Sequence, residues 1–277
     1  MTHNLSASEQ LMYSTVRIEC ISGNGQGSTG TGFFFNFLED GNSFLPAIVT
    51  NKHVVEGAVR GLFLMTIADE NGNPINTEHI PIEFEDFEQR WLFHPDPNVD
   101  LCVMPIAPVL NRLNSIGKKG FYIALTKELI PNFEQLSNLR AIEDITMIGY
   151  PTGLWDQVNN LPIVRKGITA THPNINYNGI EEILIDAACF PGSSGSPVLL
   201  FNENGYTTKD GTTHLGATRV LLLGVLYAGP QFTATGEIVV TNVPTSTQPL
   251  AVSRIPMNLG MVIKANKLLE FEELLKQ

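Results

Sequence analysis

Short runs rich in Val, Ile, Phe, Leu and Thr, each closed off by Gly, Asn, Asp or Pro, recur along the whole 277-residue chain. They limit its fold more than any other feature. "TVRIEC", "GTGFFFNF", "FLPAIVTN", "GLFLMTIA", "DLCVMPI", "ITMIGYP", "IVRKGITATH", "EILIDAACF", "SPVLLF", "RVLLLGVLYAG", "EIVVTNV" and "MVIKA" read as β-strands. No long helical pattern alternates with them, which argues against a parallel α/β sheet. With 24 Gly and 17 Pro spread throughout, turns are frequent and helices few. The expectation is an all-β chain, and about twelve strands suit two small barrels side by side.

The less regular stretch from Asn111 to Glu143 separates the halves and holds a short helix around "IPNFEQLSNL". Residues 1–120 are assigned to a first barrel with its N-terminal segment, 121–140 to the crossing and 141–263 to a second barrel. Residues 264–277 are assigned to a terminal helix, because Leu268, Phe271 and Leu275 fall on one face at helical spacing. "NENGYTTKDGTTHLGAT" reads as a long exposed hairpin connection.

Hydrophobic residues make up 43% of the chain and charged ones 16%, the balance of a folded protein. A net charge of −11 leaves no basic stripe to neutralise phosphates, so nucleic acid is not an expected partner. Cys20, Cys102 and Cys189 are odd in number and far apart, with neither metal-ligand nor disulfide spacing, which points to a reduced, intracellular chain. The N-terminus lacks a basic segment followed by an apolar core, and no apolar run would span a bilayer. Cytoplasmic localisation and no membrane partner are the expectation.

"PGSSGSP", residues 191–197, could be simple loop punctuation. Two other segments change its weight. "AIVTNKHVVEGA" places His53 at the end of an apolar strand, and "DPNVDLCVMPI" places Asp100 at the mouth of another. Each alone is a common structural residue, a satisfied histidine or a strand-start carboxylate. With Ser194 they supply the three chemical types that acyl transfer requires. A serine hydroxyl must lose its proton as it attacks, and an imidazole can take that proton and return it to the leaving amine. A carboxylate behind the ring fixes the tautomer. The developing oxyanion needs donors, and Gly192 can turn its N–H inward beside that of Ser194.

"GTGFFF", "IVTNKHVVEGA", "VDLCVMPI", "IGYPTG", "DAACFPGSSGSPVL" and "GVLYAG" stand in the order and approximate spacing of trypsin-like serine peptidases. Across residues 13–263 the chain resembles this family, and within it the bacterial HtrA-like branch most closely. The resemblance implies two six-stranded antiparallel β-barrels followed here by a short C-terminal helix, with a catalytic cleft between the barrels. It implies a serine endopeptidase that hydrolyses peptide bonds through an acyl-enzyme. His53 and Asp100 would come from the first barrel, Ser194 from the second, and the amides of Gly192 and Ser194 would form the oxyanion hole. No metal or organic cofactor is implied. Protein or peptide substrates are expected.

Three departures qualify the likeness. Ser193 stands where secreted digestive relatives carry an aspartate, so activation by a new N-terminal ammonium is not expected; control would act through loop ordering or a protein partner. Ser196 replaces the last glycine of the usual motif and is expected to put a Cβ near the substrate backbone. With a single terminal helix after the second barrel, the peptide-binding PDZ module of many HtrA-like enzymes is not expected. By the family pattern Ala188 lies at the base of the primary specificity pocket, bordered by Cys189 and walled by Tyr227, Ala228 and Gly229. Without an acid at Ala188, the expectation is a small or medium apolar side chain before the scissile bond, and Cys189 is read as a buried inert thiol.

Two other readings fit parts of the sequence. An α/β-hydrolase would follow Ser194 with Asp210 and His214, but proline follows the serine motif at once and the next run reads as a strand. A catalytically latent or inactive peptidase fold, activated by or scaffolding a protein partner, would keep the architecture. Retention of His53, Asp100, Ser194 and Gly192 favours an enzyme over that alternative.

Overall fold

The computed structural model describes residues 5–41, 43–229, 231–235 and 252–276. Its first half contains α1 (Ala7–Met12), β1 (Thr15–Ser22), β2 (Gly27–Asp40), β3 (Ser43–Thr50) and the single turn α2 (Lys52–Val55). After these come β4 (Ala58–Ala68), β5 (Pro74–Glu85), β6 (Leu92–Phe93), β7 (Cys102–Pro105), α3 (Ala107–Ser115) and β8 (Gly120–Phe121). The strands form one antiparallel sheet in the order β5-β4-β1-β2-β3-β7-β6, with β8 on β4. Six strands were expected; the sheet has eight, because the two-residue β6 and β8 join the six longer ones. Its ladder runs open from β5 to β6, whereas the second half closes. One core nevertheless takes Ile18 from β1, Phe34 from β2, Ile48 from β3, Phe63 from β4, Ile82 from β5 and Met104 from β7. A sheet whose inner and outer strands share a core has to curl.

The aromatic run of β2 explains itself by burial on both faces. Phe34 enters the first-half core, while Phe33, Phe35 and Phe37 point the other way and are wholly buried in a core that residues of both halves share. Strand β5 does not stand out in the sequence for the opposite reason. It is the edge of the sheet, Ile82 is its one buried residue, and it carries Pro74 and Pro81. Helices α1 and α3 also lie outside the expected elements. α1 is marked by a capping box in which the Ser6 hydroxyl accepts from Glu9 N–H and Glu9 accepts from Ser6 N–H.

The second half begins after α4 (Phe133–Ser137), which lies inside the stretch expected to be helical and has its own capping box, Asn132 with Gln135. Strands β9 (Asp144–Gly149), β10 (Ile163–Thr169), β11 (Glu182–Asp186) and β12 (Pro197–Asn202) follow. Then come the hairpin β13 (Gly205–Thr207) and β14 (Thr213–Leu215), β15 (Arg219–Ala228), the ribbon β16 (Gln231–Thr235) and β17 (Val252–Pro256), and β18 (Leu259–Lys264). Six of these close into an antiparallel barrel in the order β10-β11-β18-β15-β12-β9. The run "EIVVTNV" lies outside the described residues.

The last described segment is helical, as expected, but of two kinds: Ala265–Phe271 is a 3₁₀ segment, and Glu272–Leu275 (α5) is α-helical. At three residues per turn Leu268 and Phe271 stack on the same side, and both are wholly buried. They complete a core between the halves that includes Phe33, Phe35, Phe37 and Val49 from the first and Ile148, Leu199, Leu222 and Ile263 from the second. Glu272 Oε1 accepts the N–H of Leu38 at 3.3 Å, tying this end to β2. No helix among the described residues is long and apolar enough to cross a membrane.

Candidate active site

Strand β3 stops at Thr50, and one helical turn presents His53 to solvent while Val54 and Val55 anchor the turn in the core. Asn51, wholly buried, leaves the helix end uncapped and instead donates from Nδ2 to the Asp100 carbonyl at 2.7 Å. Asp100 precedes β7 and spends both carboxylate oxygens on His53. Oδ2 lies 2.5 Å from His53 Nδ1, and Oδ1 accepts the His53 backbone N–H at 3.1 Å. Lys52 Nζ adds a bond to the Asp96 carbonyl at 2.9 Å. With Nδ1 held by the carboxylate, Nε2 is left as the proton acceptor of the neutral ring. The His53 side chain remains 46% exposed, open to a reactant.

Ser194 sits in the loop between β11 and β12. The loop is stitched from within by Ser193 N–H to the Phe190 carbonyl and Ser196 N–H to the Ser193 carbonyl, both 3.0 Å. It is fastened to β15 by Gly195 N–H to the Leu226 carbonyl at 2.7 Å. Thr31, a wholly buried residue of β2, ties it to the first half. Its N–H donates to the Ser194 carbonyl at 2.9 Å, its hydroxyl donates to the Gly192 carbonyl at 2.9 Å, and the same oxygen accepts Tyr150 N–H at 3.1 Å.

Two glycines make the turn possible. Gly192 and Gly195 have φ of +84° and +87°, a region that side chains disfavour, and a Cβ at Gly195 would stand 1.9 Å from the Thr31 carbonyl oxygen. The Pro191 carbonyl accepts Thr152 N–H at 2.5 Å, while the amides of Gly192 and Ser194 reach no protein acceptor among the described residues. The Ser194 hydroxyl donates to the Tyr227 carbonyl at 3.4 Å and makes no hydrogen bond to His53.

The structure therefore brings His53 against Asp100, and Ser194 against Tyr227. Around the expected specificity pocket, a Cβ placed on Gly229 would lie 3.7 Å from the Cys189 Cβ, so these two segments face each other closely. Tyr227 enters by its backbone: its phenol turns to donate to Glu182 Oε1 at 2.9 Å, and burial raises its pKa. Ala228 ends β15 beside it. Cys189 is buried, and burial pushes its thiol up to about 11, which leaves it unionised at neutral pH.

Ser196 departs from expectation. Its side chain is wholly buried and turns toward Gly149, so it does not face a substrate. Asp210 and His214 stay apart from Ser194 in the β13–β14 hairpin. The Asp210 carboxylate accepts from the Thr208 and Thr212 hydroxyls and from Thr212 N–H, which hold its pKa down to about 2, while His214 stacks on Tyr206.

Two contributors lack a sequence signal strong enough to single them out. Thr31 is one of two threonines in "TGTGFFF", and nothing local marks it as the bridge. Arg165, beside Lys166 on β10, turns inward. Its Nη1 donates to the Ala188 carbonyl and its Nη2 to the Ser193 hydroxyl at 3.0 Å. Among the described residues no three His, Cys, Asp or Glu side chains gather as a metal site would require.

A family model described as a trypsin-like peptidase domain matches residues 30–206. The chain belongs to the trypsin-like peptidase family. No curated protein matches the sequence. Among solved structures, the chain is similar to the HtrA-type protease AlgW with a tripeptide, at 16% identity and a TM-score of 0.48. That match covers 95% of this chain and 60% of the AlgW chain, so this trypsin-like peptidase spans under two thirds of that relative's length. It is also similar to the active form of the Rv3671c protease from M. tuberculosis, at 14% identity and a TM-score of 0.43, covering 93% of this chain and 78% of that one. An inactive serine-to-alanine mutant form of Rv3671c from M. tuberculosis H37Rv matches at 16% identity and a TM-score of 0.43, covering 96% and 88%.

Proposed function

We infer that this trypsin-like peptidase is a cytoplasmic serine endopeptidase acting on protein or peptide substrates, with Ser194 as nucleophile, His53 as general base and Asp100 as its orienting carboxylate. The observation that carries the reading is the double contact of Asp100 with His53, through Nδ1 at 2.5 Å and the backbone N–H at 3.1 Å. It fixes the ring so that Nε2 is the atom able to take the serine proton. Attack by Ser194 on a carbonyl carbon would move that proton to His53 and leave a negative oxygen, for which the uncommitted amides of Gly192 and Ser194 are suitable donors. His53 would then protonate the leaving amine, and water would hydrolyse the acyl-serine by the same exchange in reverse.

The Ser194 bond to the Tyr227 carbonyl favours a second reading, a latent site whose serine turns to His53 when a substrate or protein partner orders the cleft. Fluorophosphonate labelling, with the modified residue located by peptide mass spectrometry, tests both. Labelling at Ser194 that is lost in His53→Ala is the result expected of a formed site. Labelling that appears only with a partner or a substrate-like peptide identifies the latent form, and labelling that ignores His53 removes the triad.

A further inference from the structure

A buried histidine outside the candidate triad braces the loop that carries Asp100. His94 follows β6, and its side chain is wholly buried. Its backbone N–H donates to the Leu101 carbonyl at 3.0 Å, which closes the loop at its base. Within the loop, His94 Nδ1 accepts the N–H of Asp96 at 3.1 Å. The Asp96 carbonyl in turn accepts the N–H of Val99 at 3.2 Å and, from outside, Lys52 Nζ at 2.9 Å. Lys52 precedes His53 in the single turn α2. Asp96 is therefore where the Asp100 loop is pinned to the His53 turn, and His94 fixes Asp96.

Only the neutral ring allows this arrangement. An Nδ1 that accepts carries no proton, so the proton sits on Nε2. Nε2 is buried 3.2 Å from Glu270 Oε2, without a hydrogen bond among the described residues. Glu270 belongs to the terminal 3₁₀ segment, whose Phe271 meets the same ring edge-on at 5.1 Å between centroids. The charged groups that act on the ring are Glu270 and Lys267 of that segment, Asp96 of the ring's own loop and Lys52 of α2. Lys267 is itself paired with Glu270 and Glu181, 2.7 Å from each. Burial holds the His94 pKa below its usual value, against the pull of Glu270. A second proton would go onto Nδ1 and set donor against donor at the Asp96 N–H. The neutral ring thus belongs to the closed loop and the charged ring to a released one. Release is absent well above the ordinary histidine value of about 6.5 and grows as pH falls below it.

We propose that His94 is a positioning residue: its neutral ring keeps Asp100 against His53, and its protonation releases Asp100, making the candidate site acid-sensitive through a histidine outside the triad. This rests on the peptidase reading above and adds a regulation of the same site. With the Asp96 N–H turned away, the loop and the His53 turn lose their common anchor, and Asp100 no longer holds both the ring and the backbone N–H of His53. The terminal segment sets the pH of release. The Glu270 carboxylate favours the charged ring, so Glu270→Gln moves release to lower pH.

The test follows two readouts on the full chain from about pH 8 to about pH 5. Hydrogen exchange of the amides from Asp96 to Leu101, corrected for its intrinsic pH dependence, reports the loop without any chemistry at Ser194. The rate of fluorophosphonate labelling at Ser194 reports the site. Protection of these amides should fall in acid in the wild type and stay level in His94→Asn, whose side-chain oxygen accepts the Asp96 N–H but does not titrate. Wild-type labelling should fall in acid more steeply than the roughly tenfold per pH unit that one histidine gives, and return to that slope in His94→Asn. Should His94→Asn not fold, Glu270→Gln and the ring titration of His94 by NMR decide: the loop must open at the pH where that ring protonates, and both must move down in Glu270→Gln. Protection that ignores pH in the wild type, a loss that persists in His94→Asn, or release of the loop without the steeper limb overturns the proposal. Labelling with a one-proton limb and a level loop removes this inference and leaves the peptidase reading standing. Acid release of the loop with no labelling at any pH removes the peptidase reading and leaves His94 as the switch of its loop.

Discussion

The first half holds its chemistry ready, whereas the second holds its chemistry open. His53 and Asp100 arise from connections at the ends of β3 and β7, and every polar link between them is made: ring to carboxylate, backbone to carboxylate, Asn51 to backbone. The Ser194 loop is as firmly fastened along its backbone, yet its functional groups are left unspent. Among the described residues the Gly192 and Ser194 amides reach no acceptor and Arg165 forms no ion pair, and the serine hydroxyl makes a long bond to the Tyr227 carbonyl. An acid–base pair needs fixed geometry before a reaction, while an oxyanion site needs donors whose partner arrives with the substrate.

The contrast can be broken most severely on the first side. Asp100→Asn keeps the shape of the pair but lets the His53 ring take the wrong tautomer; kcat on a susceptible peptide should drop by about 10⁴-fold with little change in melting temperature. The second side breaks differently, through its backbone. Gly195→Ala puts a methyl into the Thr31 carbonyl at a positive φ, and urea unfolding should show a loss on the order of 3 kcal/mol, with Ser194 labelling lost alongside. Thr31→Val sharpens the comparison, since Thr31 bridges the sides. Removing its hydroxyl strands the Gly192 carbonyl and the Tyr150 N–H, which should cost roughly 1–3 kcal/mol in the same unfolding experiment and slow Ser194 labelling without abolishing it.

The sequence carries different parts of this unequally. Strands buried on both faces, such as the Phe33–Phe37 run, announce themselves as continuous apolar stretches. So do β12 and β15 of the second half. Strand β5 does not: Ile80, Ile82 and Phe84 alternate along it, but Pro74, Pro81 and the acidic residues between them, on an edge with one buried residue, keep the run from reading as a core strand. The C-terminal segment shows the right contacts, Leu268 and Phe271, on a different helix, since spacing by three serves a 3₁₀ turn as well as an α-helix. At the candidate site, the sequence singles out His53, Asp100, Ser194 and the glycines by residue type, and the structure pairs His53 with Asp100 while Ser194 bonds the Tyr227 carbonyl. Arg165 is not singled out, since adjacent Arg and Lys on a strand offer no clue as to which one faces inward, and only the fold brings its guanidinium to the Ala188 carbonyl and the Ser193 hydroxyl. Ser193 illustrates the same limit: its lack of charge is plain in the sequence, but its arginine partner comes from a strand 28 residues away.

The core between the halves draws its last members, Leu268 and Phe271, from the far end of the chain, after every strand that they cover has been made. Phe33, Phe35 and Phe37 are packed from both sides, by Val49 and Leu101 of the first half and by Ile148 and Leu222 of the second, so Leu268 and Phe271 act as a keystone on a core that both halves already share. Loosening that one segment would slacken both walls of the candidate cleft together without touching a residue of either wall.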